Sequence, residues 1–300
     1  MKHTANMAVA MALAAATPAV ALAQNDTAAA KVFESAQQAT LDRWAAQSTR
    51  APNRTESERA MQAVLDQINQ RDCAGAVRKL NEGLANAYRD VYYLAGALYE
   101  EGICLKPNWD RAVTMYQRAY EGGRAEAASR ISSGYAATVG GQDRAAALWW
   151  AIKAGQQLPG ACQEVAPLLG DADKFVDALR HWPAGRLEAC AYVAGVMTTI
   201  KGDVDYPRLA ADHGLQGSVS LDFMPAQAKI AITGQTVEMQ DLGGYVSGDV
   251  QRDRESRRVR ESFSVYLRQI ADRALARYPK PAVVPGDWQV QASYEFKFEK

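Results

Sequence analysis

A segment in the middle of this 300-residue chain repeats itself, and that repeat limits the fold more than any other feature of the sequence. Residues 94–123 (LAGALYEEGICLKPNWDRAVTMYQRAYEGG) can be laid over residues 130–155 (RISSGYAATVGGQDRAAALWWAIKAG). Asp110-Arg111-Ala112 meets Asp143-Arg144-Ala145 at an offset of 33, and Tyr116 meets Trp149 and Gly122 meets Gly155 at the same offset. Upstream, Tyr99 meets Tyr135 at an offset of 36, the difference falling in the longer turn of the first copy. A period in the thirties, with small residues at the contacts and Gly at the ends, signals a helix-turn-helix solenoid, whose units bury their apolar faces by stacking on one another. The first copy carries the matching stripes. Ala95, Leu98 and Tyr99 share one helix face, and Ala112, Met115, Tyr116 and Ala119 share the next. Gly102 suits a left-handed helix end, and Asn108 or Asp110 can cap the second helix through a side-chain oxygen.

The N-terminus reads as a targeting segment. A short basic start (Met1-Lys2-His3-Thr4) leads into the uncharged, Ala-rich residues 8–23, which end Ala21-Leu22-Ala23 before Gln24. Small residues at −1 and −3 are what signal peptidase accommodates, so residues 1–23 are expected to be a Sec signal peptide removed after Ala23. Residues 24–55 then form a linker or isolated helix. Export changes how the cysteines are read. Cys73, Cys104, Cys162 and Cys190 all lie beyond the leader, and an even count in an oxidising compartment points to disulfides. Four cysteines allow three pairings. None of the close pairs that a zinc site needs is present.

The order A-x-x-L-Y-x-x-G (95–102), then D-x-A-x-x-x-Y-x-x-A-x-x-G (110–122), resembles the Sel1-like repeat, a relative of the tetratricopeptide repeat. The second copy departs from it, with Ile131 and Gly134 where Ala and Leu are usual. Residues 56–70 and 74–87 look like a degenerate helix pair before the first copy, and 161–181 and 184–200 supply helices after the second. The array would cover 56–200. The resemblance implies a protein-interaction scaffold. Extracellular Sel1-like proteins rich in cysteine staple their helix pairs with disulfides. With neighbours touching across one repeat, that resemblance implies Cys73–Cys104 and Cys162–Cys190.

The last hundred residues follow another pattern. Residues 217–223 alternate apolar and polar, residues 228–239 read as one or two more strands, and 240–249 is Gly-rich. A long helix is expected over 251–278, with Val259, Phe263, Tyr266, Leu267, Ile270, Ala274 and Tyr278 as its stripe and Pro279 as its stop. Its arginine-rich start, diluted by Asp253, Glu255 and Glu261, reads as a solvated end with intrahelical ion pairs. Residues 288–298 alternate strictly and form the clearest strand. Tyr206-Pro207-x-x-Ala210, the segment Gly214-x-x-Gly217-x-Val219-x-Leu221-x-Phe223, the helix and the closing Tyr294-x-Phe296-x-Phe298 resemble the TonB C-terminal domain over 204–300. The usual D-G turn is replaced by Met224-Pro225-Ala226-Gln227, and a Pro-rich spacer is lacking. The resemblance implies that the last strand lies at a sheet edge and adds an extended segment of a partner, with Gln289, Gln291, Ser293, Glu295 and Lys297 along it. Glu295 and Lys297 can equally serve as edge protection.

The fold class expected is therefore an all-α helix-turn-helix solenoid followed by a small α+β domain. Lys plus Arg equals Asp plus Glu, 34 of each, which excludes the broad cationic footprint of a nucleic-acid binder. No G-x-S-x-G, H-x-x-x-H or phosphate loop is present. His181 and His213 fall in different expected domains, and His213, beside Gly214, reads as a polar surface residue. No catalytic residue, cofactor or metal is expected. The leading expectation is an exported adapter binding envelope or outer-membrane proteins through a helical groove and a sheet edge. One alternative is a TonB-like energy-transducing accessory, should the leader stay as an anchor. A second is a cell-envelope hydrolase or peptidoglycan-related enzyme, against which the missing S-x-x-K motif speaks.

Overall fold

Antiparallel helix pairs come first in the chain and a small sheet last, and one helix stands between them. In this computed structural model the described residues are 55–137, 142–239 and 256–297. The expected leader, residues 1–23, and residues 24–54 lie outside them, as do 138–141, 240–255 and 298–300. The helical part runs α1 (Glu56–Asn69), α2 (Cys73–Ala85), α3 (Arg89–Glu101), α4 (Trp109–Glu121), α5 (Glu126–Ala136), α6 (Arg144–Lys153), α7 (Gly160–Gln163), α8 (Ala172–Arg180) and α9 (Arg186–Asp203). Helices pack α1 on α2, α3 on α4 and α5 on α6, and the pairs are joined by α1 on α3 and α4 on α5. Short connections between neighbours enforce that local pairing.

The caps follow side-chain chemistry. Thr55 accepts the Glu58 amide while the Glu58 carboxylate accepts the Thr55 amide at 2.7 Å, a reciprocal capping box. Asp72, Asn108, Asp143 and Asp171 cap α2, α4, α6 and α8 in the same way from one side. Of the two candidates at α4, Asn108 makes the cap, and Asp110 sits inside the first turn. Gly102 ends α3 at φ 67°, a left-handed conformation that glycine adopts without steric cost. In the second copy, α6 is three residues shorter than α4. The structural counterpart of left-handed Gly155 is consequently Gly123, not Gly122.

The segment after the second copy is more broken than its sequence suggests. Pro167 and Gly170 interrupt it, so residues 160–180 form α7, a 3-10 turn at Ala166–Leu168, and α8. Helix α9 then has buried residues all around its circumference, from Ala189 to Ile200. A helix apolar on every side must be covered on every side. Helices α5 and α6 pack on it from one direction and α12 from another.

Beyond α9 come α10 (Arg208–Asp212), β1 (Leu215–Met224), β2 (Lys229–Met239), α11 (Arg257–Arg260), α12 (Ser262–Arg277) and β3 (Val290–Phe296). The sheet is antiparallel, in the order β2-β1-β3. The helix expected over 251–278 is divided at Glu261 within the described residues, and the Arg257–Glu261 ion pair at 2.8 Å sits at the division. Tyr278 is extended, as the residue before a proline prefers. Tyr206 of the YP word donates to the Leu215 carbonyl and sets its ring edge-on to Phe263 and Phe296, so it joins α12 to the sheet. The apolar sheet face and α12 share one buried cluster with α5 through α9. It includes Leu148, Phe175, Met197, Phe223, Phe263 and Phe296. All described residues belong to one compact unit.

Candidate functional site

Strand β3 lies at one edge of the sheet, since only β1 pairs with it among the described residues. Val290 and Phe296 are buried and Ala292 and Tyr294 partly so, while Gln291, Ser293 and Glu295 are exposed. The polar residues lie over the solvent face of the sheet. Gln289 donates to Asp222 at 2.8 Å, Ser220 donates to Ser293 at 3.3 Å, and Lys297 pairs with Glu295 at 2.6 Å. The direction of the backbone groups follows from β1. The Ser218 amide points to β2, where it donates to the Thr236 hydroxyl at 3.0 Å. Backbone groups alternate sides along a strand, so Gly217, Val219, Leu221 and Phe223 address β3. Their partners in register are Phe296, Tyr294, Ala292 and Val290. The amides of Gln291, Ser293 and Glu295 therefore face the open edge.

A second concentration of polar chemistry lies where α12 meets the helical part. Glu100 on α3, Arg130 on α5, Asp203 at the end of α9 and Arg277 at the end of α12 form a charge-balanced group. Arg130 pairs with Asp203 at 3.5 Å and its Nε donates to the Tyr93 hydroxyl. Arg277 pairs with Glu100 at 3.5 Å, and Tyr116 donates to Glu100 at 2.7 Å. Burial opposes the charge on Arg130, but the surrounding Tyr93, Asp203, Tyr116 and Glu100 outweigh it and hold the guanidinium well above its ordinary range. Next to it, the Tyr278 hydroxyl donates to the Ser133 carbonyl at 2.8 Å and lies 2.7 Å from the Thr199 hydroxyl. Every charge in this group has a counter-charge, and the arrangement ties α12 to α3, α5 and α9. Nothing in the sequence pattern singles these residues out, because they come together from four separate elements.

Cys73 is bonded to Cys104 and Cys162 to Cys190. The first bond joins the start of α2 to the turn after α3, and the second joins α7 to α9. His181 and His213 each set Nδ1 against a carbonyl one turn back, Asp177 and Leu209, at 2.8 Å. An open cleft of about 300 Å³ runs between the start of α9 and the segment before β3, lined by Pro183, Arg186, Ala189, Val283, Pro285 and Trp288 among others. Arg186 is already engaged there by Glu164 at 2.6 Å, by the Ala161 carbonyl and by the Trp182 ring. Among the described residues no group of His, Cys, Asp and Glu could hold a metal ion, and no helix is long and apolar enough to cross a membrane. The chain matches no family model, no curated protein and no solved structure.

Proposed function

We propose that this chain is an exported protein-interaction adapter of the cell envelope. In this reading residues 56–200 are a Sel1-like array, residues 204–300 carry a TonB C-terminal-like sheet, and the leader is cleaved after Ala23. Helix pairs that pack each on the next, and two disulfides of the kind an oxidising compartment maintains, support the scaffold and the periplasmic or secreted location. The observation that carries the binding mode is the open edge of β3. Three successive outward amides, at Gln291, Ser293 and Glu295, leave donors that an extended segment of an envelope or outer-membrane protein satisfies by adding a strand. Specificity then comes from side chains alternating along that edge. No catalytic role, cofactor or nucleic acid enters this reading.

The test uses extended peptides selected on the wild-type protein. Ser293→Pro removes one outward donor without touching the ladder to β1. Binding should fall at least about tenfold, the circular dichroism spectrum being unchanged. Full binding by a folded Ser293→Pro protein would eliminate strand addition at this edge.

A further inference from the structure

The two disulfides differ in how far water and reagents can reach them. Cys162 and Cys190 are both 0% exposed, sealed in the cluster around α9. Cys73 is exposed at the first position of α2, and Cys104 is half-exposed in the turn after α3. Thiol–disulfide exchange requires direct approach of a thiolate along a sulfur, so access decides which bond reacts.

The accessible bond also has a defined mechanical role. Helices α1 and α2 pack on each other and on α3. Their buried residues, Val64, Leu65, Ile68, Ala76 and Leu80, lie outside the cluster that unites α5 through β3. Hydrogen bonds supplement the packing, among them the Asp90 amide to the Ser57 hydroxyl at 3.0 Å, the Tyr92 hydroxyl to the Leu84 carbonyl at 3.4 Å and a bond between Tyr88 and Glu56. Cys104 stands at φ 57°, a left-handed conformation uncommon for a residue with a Cβ.

We propose that Cys73–Cys104 is a reducible staple: a dithiol reductant opens it while Cys162–Cys190 stays closed, and opening loosens the helix pair α1–α2. One thiolate of the dithiol attacks Cys73 Sγ, forming a mixed disulfide and expelling the Cys104 thiolate, which takes a proton from water. The second thiol of the reductant, deprotonated, attacks its own sulfur in the mixed disulfide and releases the Cys73 thiolate, which is protonated in turn. The protein gains two thiols and the dithiol becomes a disulfide, a two-electron exchange. The proposal does not depend on what the protein binds.

The experiment titrates the oxidised full-length protein with dithiothreitol under native conditions, alkylates it, and maps the modified cysteines by mass. Hydrogen exchange is followed on the same samples. Cys73 and Cys104 should be alkylated at reductant concentrations that leave Cys162 and Cys190 bonded. Amides of residues 56–85 should then exchange at least about tenfold faster while those of α9 and β1 stay protected. Simultaneous loss of both bonds, prior loss of Cys162–Cys190, or selective opening with unchanged exchange in 56–85 would each overturn the proposal. A Cys73→Ser/Cys104→Ser double variant should show the same faster exchange without reductant. A double variant with wild-type protection of 56–85 would count against it equally.

Discussion

Tyr116 is fully buried and donates to a carboxylate that is itself almost covered, so its hydroxyl contributes more than an exposed phenol would. Tyr116→Phe should lower unfolding free energy by about 1.5–3 kcal/mol, the range for a hydrogen bond to a charged group. Urea denaturation reads this directly. The same residue makes stability depend on alkaline pH. Burial, and then the Glu100 carboxylate, hold the Tyr116 phenol well above its ordinary value of 10.0. Burial also raises Tyr278, and pushes Tyr192 up to about 12. The folded state thus keeps protons that the unfolded chain gives up, and this contribution is complete below pH 10.0 and lost as pH rises through the folded values. Urea midpoints should fall on crossing pH 10.0, and Tyr116→Phe should reduce the slope. The sequence carries the apolar stripe that buries Tyr116. It does not show that the stripe's hydroxyl meets Glu100, because that pairing depends on how α3 and α4 rotate against each other.

At the scale of elements, closeness of approach sets the packing. Gly195 in α9 faces α5 and α12 at once, and a Cβ there would lie 2.7 Å from the Ala136 Cβ and 2.8 Å from the Tyr278 ring. Neither neighbour is the end of a flexible chain. Gly195→Ala should therefore cost about 1–3 kcal/mol by overpacking, although alanine is the better helix former. A lowered thermal midpoint checks it, and a raised one would show that α5 or α12 yields. Gly134 works in the same way against the Trp109 ring, which explains its presence where the repeat pattern expects a larger residue. Helix faces and the alternation of β1 and β3 were legible because each depends on local periodicity. The division at Glu261 was not, since no glycine or proline marks it. The break between α7 and α8 was not read either, although Pro167 and Gly170 stand in it, because they interrupt the short apolar run 165–170. The outward set of β3 residues was legible as a face, but which amides point to the open edge required the register with β1.

At the scale of the described molecule, α9 is the central element, since α5 through α8 before it and the sheet after it share one buried cluster through it. Phe223 on β1 is fully buried, with its ring 5.8 Å from that of Tyr192 on α9. Phe223→Ala should cost about 3–5 kcal/mol, and hydrogen-exchange protection of α9 and β1 should weaken together. Protection lost in β1 alone would show two separable units. The boundary near residue 203, where the repeat gives way to alternation, marks a change of pattern in the sequence. In space the Arg277–Glu100 pair and the Tyr278 hydroxyl bridge it. The cysteine connectivity has a further consequence for biogenesis. The bonds join the first cysteine to the second and the third to the fourth, so neither loop encloses the other. A chain threaded N-terminus first into an oxidising compartment has Cys104 available to Cys73 before Cys162 emerges. On export of that kind each bond can close among residues already delivered, in the order of translocation, so this connectivity does not itself require reshuffling by an isomerase.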